Sequence, residues 1–129
     1  MKFLLDTSIF VWSLDSFNRL SKRAQEVFTS GEEIYLSSAS SWEVVVKYSI
    51  GKLNLPKPPS QLIPETLTKY ALRTLPISLA HSLSVAELPN HHKDPFDRIL
   101  IAQARYEGMI LMTEDFDIAQ YPLEILWCR

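Results

Sequence analysis

A chain of 129 residues with 47% hydrophobic content can bury a substantial core but is too short for two ordinary domains, so one compact domain over residues 1–129 is expected. Charged residues make up 22% and the net charge is -2, which excludes a disordered polyanion and a strongly basic nucleic-acid coat protein. The single cysteine, Cys128, excludes an internal disulfide and a cysteine-based zinc site, and fits a reducing cytoplasm.

The opening Met1-Lys2-Phe3-Leu4-Leu5-Asp6 is an apolar run broken by an acid too early to serve as a signal-peptide core. Later runs fall far short of the roughly 20 apolar residues that a bilayer span needs. A soluble cytoplasmic protein with no membrane partner is expected. Short apolar runs at residues 3–5, 34–36, 75–77, 109–112 and 125–127 do not alternate, as strands do not when helices cover both faces of a parallel sheet. Helix-length segments lie between them. Residues 8–14 and 21–30 form the first two, with Ser21 as N-cap and Gly31 as stop. Residues 40–50 close at Gly51. Pro56, Pro58 and Pro59 make a loop, a helix follows over residues 60–73, and Ser78 caps another running to residue 88. Asp94-Pro95 is a helix start, with an acid at the cap and proline at the first helical position, and Gly108 ends that helix. The alternation of strand and helix predicts an α/β sandwich with a mainly parallel central sheet.

In such folds ligands bind outside the carboxyl ends of the strands, so the informative acids stand just after a strand or at the start of the next helix. Asp6, Glu43, Asp97 and Asp115 meet that condition, with Asp94 and Asp117 as neighbours competing with the last two. Carboxylates gathered in one cleft repel one another unless a cation sits among them, and hard oxygen donors suit Mg²⁺ or Mn²⁺. Such ions can activate a water and stabilise the leaving oxygen in phosphodiester hydrolysis.

The segments Asp6-Thr7-Ser8, Ser41-Trp42-Glu43, Asp94-Pro95-Phe96-Asp97-Arg98-Ile99-Leu100-Ile101-Ala102-Gln103-Ala104 and Thr113-Glu114-Asp115 resemble, in order and spacing, the four acidic motifs of PIN domains. The chain is especially similar to the VapC-type toxins of type II toxin–antitoxin pairs, and the similarity extends to Gly51-Lys52-Leu53. The resemblance implies a PIN-like three-layer α/β/α sandwich, dependence on Mg²⁺ or Mn²⁺, endoribonuclease activity on RNA, inhibition by a cognate antitoxin, and a homodimer. Carried over by position, Asp6, Glu43, Asp97 and Asp115 would be the metal-binding and catalytic acids, Asp6 and Asp97 foremost for direct coordination. An acidic metal cleft is suitably closed by a basic side chain, best an arginine delivered by the antitoxin.

Each residue also has a structural reading. Ser40-x-x-Glu43 has the form of a capping box, and Asp94 can cap its helix with Asp97 in the first turn. Thr7, Ser8 and Thr113 either orient neighbouring carboxylates or serve as turn and capping hydroxyls. Lys47 and Arg98 either pair with the adjacent acids or meet phosphate. His91 and His92 lack a third zinc ligand at a matching spacing and read as loop or RNA-contact residues, while His81 reads as a helix-face residue. Arg19, Lys22, Arg23, Lys52, Lys57 and Lys93 form either an RNA track or scattered solvated charge. Trp12, Trp42, Tyr48 and Trp127 read as core or interface aromatics. Two other functions keep the same acids: a nuclease directed at DNA, and a metal- or nucleic-acid-binding module without turnover.

Overall fold

The computed structural model describes residues 1–91 and 93–129, so the reading of His92 as a loop or RNA-contact residue lies outside the described residues. Five strands, β1 (Lys2–Leu5), β2 (Glu33–Ser37), β3 (Arg73–Leu75), β4 (Ile110–Thr113) and β5 (Ile125–Trp127), form one all-parallel sheet in the order β3-β2-β1-β4-β5. Leu4 of the central strand stands opposite Tyr35 on one side and Leu111 on the other. Because successive side chains on a strand point to opposite faces, Phe3, Leu5, Ile110 and Met112 enter one core and Leu4 and Leu111 the other.

Helices cover both faces. On the first, α1 (Thr7–Asp15) and α2 (Lys22–Thr29) bury Ile9, Phe10, Ala24 and Phe28. On the second, α6 (Pro95–Glu107) and α7 (Phe116–Ala119) bury Leu100, Ile101, Ala104 and Ile118. The helix α3 (Ser38–Ser49) packs against both α1 and α6, sending Val44 to one core and Ala39 to the other. Two further helices, α4 (Pro59–Lys69) and α5 (Leu79–Ser84), precede and follow the edge strand β3. The result is the expected three-layer α/β/α sandwich. Among the described residues, no helix is long and apolar enough to cross a membrane.

Cap chemistry explains several boundaries. Ser21 caps α2 by accepting from the Ala24 N–H at 3.2 Å, and Asp94 caps α6 by accepting from Phe96 and Asp97. Gly108 closes α6 in the left-handed conformation at φ 68, which its missing Cβ permits. Other boundaries differ from expectation. The helix expected over 60–73 stops at Lys69 because the chain turns through Ala71 at φ 51, a left-handed position without a glycine to announce it. The third strand lies at Arg73–Leu75 rather than 75–77. It is an edge strand whose Arg73 and Thr74 are exposed, so apolar residues are not required there, and Ile77 leaves the sheet to donate its N–H to Ser38 Oγ at 3.3 Å. The helix expected to reach residue 88 ends at Ser84 and continues as a 3₁₀ turn over Val85–Glu87.

Candidate functional site

The sheet order makes β1 and β4 neighbours although the chain leaves β1 toward β2, so a topological switch point lies between β1 and β4. Asp6 follows the first of these strands and Asp115 the second. A cleft of about 360 Å³ opens there, lined by Asp6, Glu43, Asp94, Asp97, Glu114 and Asp115, by Lys47 and Lys52, and by Thr7, Ser8 and Trp12 among others.

Asp6 is the N-cap of α1 and is held from several sides. Its Oδ1 accepts the Thr7 N–H at 2.8 Å, and its Oδ2 accepts the Thr113 hydroxyl at 2.8 Å and that of Ser8 at 3.5 Å. Burial raises its pKa to about 6, opposed by the Thr113 and Thr7 hydrogen bonds and assisted by the negative charges of Asp115 and Glu43. Thr113, fully buried, also accepts the Asp115 N–H at 3.1 Å, so one hydroxyl ties together two acids from different strand ends. Asp115 is itself an N-cap, accepting the Asp117 N–H at 2.9 Å.

Glu43 reaches the cleft differently from expectation. Helix α3 begins at Ser38 and is capped by Ser37, which accepts the Ala39 N–H at 3.0 Å. Glu43 is therefore in the second turn and the Ser40–Glu43 capping box does not form. Ser40 instead accepts the Thr7 hydroxyl at 2.9 Å, fastening α3 to α1. Glu43 is 4% exposed; its Oε2 accepts from Lys47 Nζ at 2.5 Å, while Oε1 is, among the described residues, the one buried side-chain oxygen or nitrogen with no hydrogen-bond partner. The Lys47 pKa is raised by that bond, with Glu43, Asp94 and Asp97 adding attraction. Asp97, in the first turn of α6, has its pKa raised to about 8, first by burial and then by the charges of Asp6, Asp94, Glu43 and Asp115.

The remaining candidates divide. Asp94 lines the cleft while also capping α6, whereas Asp117 is exposed, does not line the cleft, and accepts from Gln120 at 3.4 Å. Arg98 turns away from the cleft: its guanidinium donates to the Pro89 carbonyl at 2.9 Å, the Tyr121 hydroxyl at 3.2 Å and the Val85 carbonyl at 3.3 Å, binding the 85–89 segment to α6. Of the basic residues considered as an RNA track, Lys52 lines the cleft, Arg19 lies over the Trp12 ring at 4.3 Å, and Lys57 pairs with Glu65 at 2.8 Å. His81 is buried as the third residue of a capping box with Ser78. Trp42 is 61% exposed and meets Phe96 edge-on, which places it outside the core. Glu114, which lines the cleft, was not singled out from the sequence, although its adjacency to Asp115 was an available signal.

Among the described residues, no three His, Cys, Asp or Glu side chains stand in an arrangement that would hold a metal ion as they are. Magnesium does not require one, since it keeps several waters and binds through one or two carboxylates. The donor set is all hard oxygen, two of its acids are held toward the protonated form by burial and mutual repulsion, and Glu43 Oε1 is buried without a partner. A divalent cation would relieve each of these conditions, so the residues fit one.

Comparison with known proteins agrees with this architecture. The family described as PIN domain matches residues 3–123, a span containing all four acidic motifs. Ribonuclease VapC16 of Mycobacterium tuberculosis is 32% identical over 68 residues, covering 53% of this chain and 46% of that protein, so the match spans under half the length of that curated relative. A chain in the crystal structure of VapBC2 from Rickettsia felis bound to a DNA fragment from their promoter superposes with a TM-score of 0.77 at 18% identity, covering 100% of each chain. A chain of FitAcB from Neisseria gonorrhoeae gives 0.64 at 17% identity, covering 96% of each. These two likenesses are of fold. The chain belongs to the PIN-domain family.

Proposed function

We propose that this chain is an endoribonuclease that hydrolyses RNA phosphodiester bonds with Mg²⁺ or Mn²⁺, and that it is the toxin of a toxin–antitoxin pair, acting as a homodimer and restrained by a cognate antitoxin. The observation that carries the reading is the convergence of Asp6, Glu43, Asp97 and Asp115, from four separate segments, on one cleft that leaves Glu43 Oε1 buried and unpartnered. The names of the similar proteins support the substrate and the partner: one is named a ribonuclease, and a chain of similar fold comes from a structure named a toxin–antitoxin complex from Klebsiella pneumoniae.

Asp6 and Asp97 would hold the cation directly, with Glu43 and Asp115 completing the acidic shell. When bound, the cation supplies Lewis-acid stabilisation of phosphoryl oxygens and a lowered pKa for a nucleophilic water. The chain's own groups set the stage. Thr113, Ser8 and the Thr7 N–H fix the rotamer of Asp6, as outer partners of a metal-binding carboxylate do. The Thr7–Ser40 hydrogen bond keeps the helix of Glu43 in register with the helix of Asp6.

Cleavage of structured and single-stranded RNA by purified protein with Mg²⁺, Mn²⁺ or chelator, beside matched DNA, tests the reading. Metal-dependent RNA cutting is expected, and Asp6→Asn is expected to lower it by at least about 100-fold, since losing even an outer partner of a metal ligand costs 10 to 100-fold. Cutting that persists in Asp6→Asn or in chelator would overturn the assignment, and equal cutting of DNA would change the substrate.

A further inference from the structure

Folding brings six carboxylates to this cleft against two lysines. Arg129 reaches Glu114 at 3.4 Å from outside, but Lys47 reaches inward, to the buried carboxylate of Glu43. The spacing of four residues is that of an ordinary helix-surface pair, in which both partners sit in water and contribute little. This pair is asymmetric. The Glu43 side chain is 6% exposed and that of Lys47 is 47% exposed. One Glu43 oxygen is taken by the ammonium and the other has no partner, so the carboxylate is only half satisfied. A buried anion needs a cation, and here the cation it has is a compact charge on a flexible, half-solvated stem that can withdraw to water at small cost.

We infer that Lys47 is the internal counter-cation of this site: it occupies Glu43 in the metal-free protein and competes with the divalent cation for that carboxylate, so that loading the site displaces the ammonium. This rests on the metal-nuclease reading above and adds to it a residue that sets metal affinity without being a ligand. The arrangement lets the chain fold before metal arrives, because Glu43 is never left wholly uncompensated. It also sets a threshold, since metal must displace a charge already in place.

Calorimetric titration of Mn²⁺ into the full chain tests this, using wild type, Lys47→Met and Lys47→Arg, each alone and on a Glu43→Gln background. Thermal unfolding is recorded for every variant with and without Mn²⁺. Lys47→Met should bind Mn²⁺ about tenfold more tightly, the effect of removing one competing charge at hydrogen-bond distance. Lys47→Arg should bind roughly threefold more weakly, because a guanidinium can grip both carboxylate oxygens. Both differences should vanish on Glu43→Gln, and Lys47→Met should have a lowered Tm that Mn²⁺ restores. Should Lys47→Met be too unstable to titrate, the Lys47→Arg comparison carries the test. Folded variants whose Mn²⁺ affinity matches wild type, or shifts in the opposite sense, would overturn the role of Lys47 and leave the nuclease reading standing; no Mn²⁺ binding by wild type would overturn both.

Discussion

Two polar clusters are buried beside the same sheet, and they are built on opposite principles. Behind the start of α3, Ser37 donates to Gln103 Oε1 at 2.6 Å, Gln103 Nε2 reaches the Pro76 carbonyl at 3.4 Å, and His81 Nε2 stands 2.7 Å from Glu107. The Ser78 N–H donates to His81 Nδ1 at 3.0 Å, so Nδ1 accepts and Nε2 carries the proton to Glu107. Donors and acceptors are matched throughout. In the acidic cleft they are not: carboxylates face carboxylates, two pKa values are driven upward, and Glu43 Oε1 has no partner. A satisfied buried network rigidifies a fold, whereas polarity left short of a partner marks where something else must bind.

The most direct break in that contrast is His81→Ala. It would empty the buried site of an imidazole that is 2% exposed and remove its hydrogen bonds to Glu107 and the Ser78 N–H, and should destabilise the protein by about 2–3 kcal/mol in chemical denaturation. Cleavage per folded molecule should stay within about twofold of wild type, because packing rather than the cleft is affected. A large fall in turnover with unchanged stability would make the histidine cluster part of the site.

The cleft should behave in the opposite way, through its dependence on pH. The carboxyl groups of Asp6 and Asp97 have folded-state pKa values raised from 3.8 to about 6 and about 8, so the native state binds protons more readily than the unfolded chain. The resulting stability is fully present below the unfolded value and is lost as pH rises through about 6 and then about 8. Metal-free protein should therefore lose stability on the order of 5 kcal/mol between pH 5 and pH 8, about one pH unit's worth from Asp6 and about three from Asp97, and saturating Mn²⁺ should recover it. Asp97→Asn should flatten the upper part of the profile. A metal-free stability that rises over this interval would contradict the account of the cleft.

Legibility from sequence follows the range of the forces involved. Helix α6 was readable because its signals are local: Asp94 caps it, Pro95 occupies its first position and Gly108 ends it. Asp6 and Asp115 were readable because each stands just past a strand end, and Asp97 because it lies in the first turn of a helix with clear start signals. The start of α3 was not, since Ser37, Ser38, Ser40 and Ser41 can all cap a helix and only tertiary partners choose among them. Gln103 takes the Ser37 hydroxyl and Thr7 donates to Ser40, and these contacts leave Glu43 in the second turn. Arg98 misled by adjacency: neighbours along a helix do not share a face, and its guanidinium serves the 85–89 segment. The left-handed turn at Ala71 has no residue-type signal at all.

Thr113 joins the two ways of burying polarity, because its hydroxyl is fully satisfied and yet serves the unsatisfied cleft. It donates to Asp6 Oδ2 and accepts from the Asp115 N–H, residues that the sequence separates by 107 positions in the first case. Thr113→Val keeps the shape and removes both bonds. Without the donor that lowers its pKa, Asp6 should titrate higher still, and its carboxylate should be free to rotate away from the cleft. Mn²⁺ affinity should fall about tenfold, with the loss greatest near pH 6 and shrinking toward pH 8 as Asp6 ionises regardless. Thr113→Ser should retain most of the affinity, since it keeps the hydroxyl. An unchanged pH profile in Thr113→Val would mean that Asp6 is positioned by the Thr7 N–H and Ser8 alone, and that Thr113 belongs with the architectural cluster.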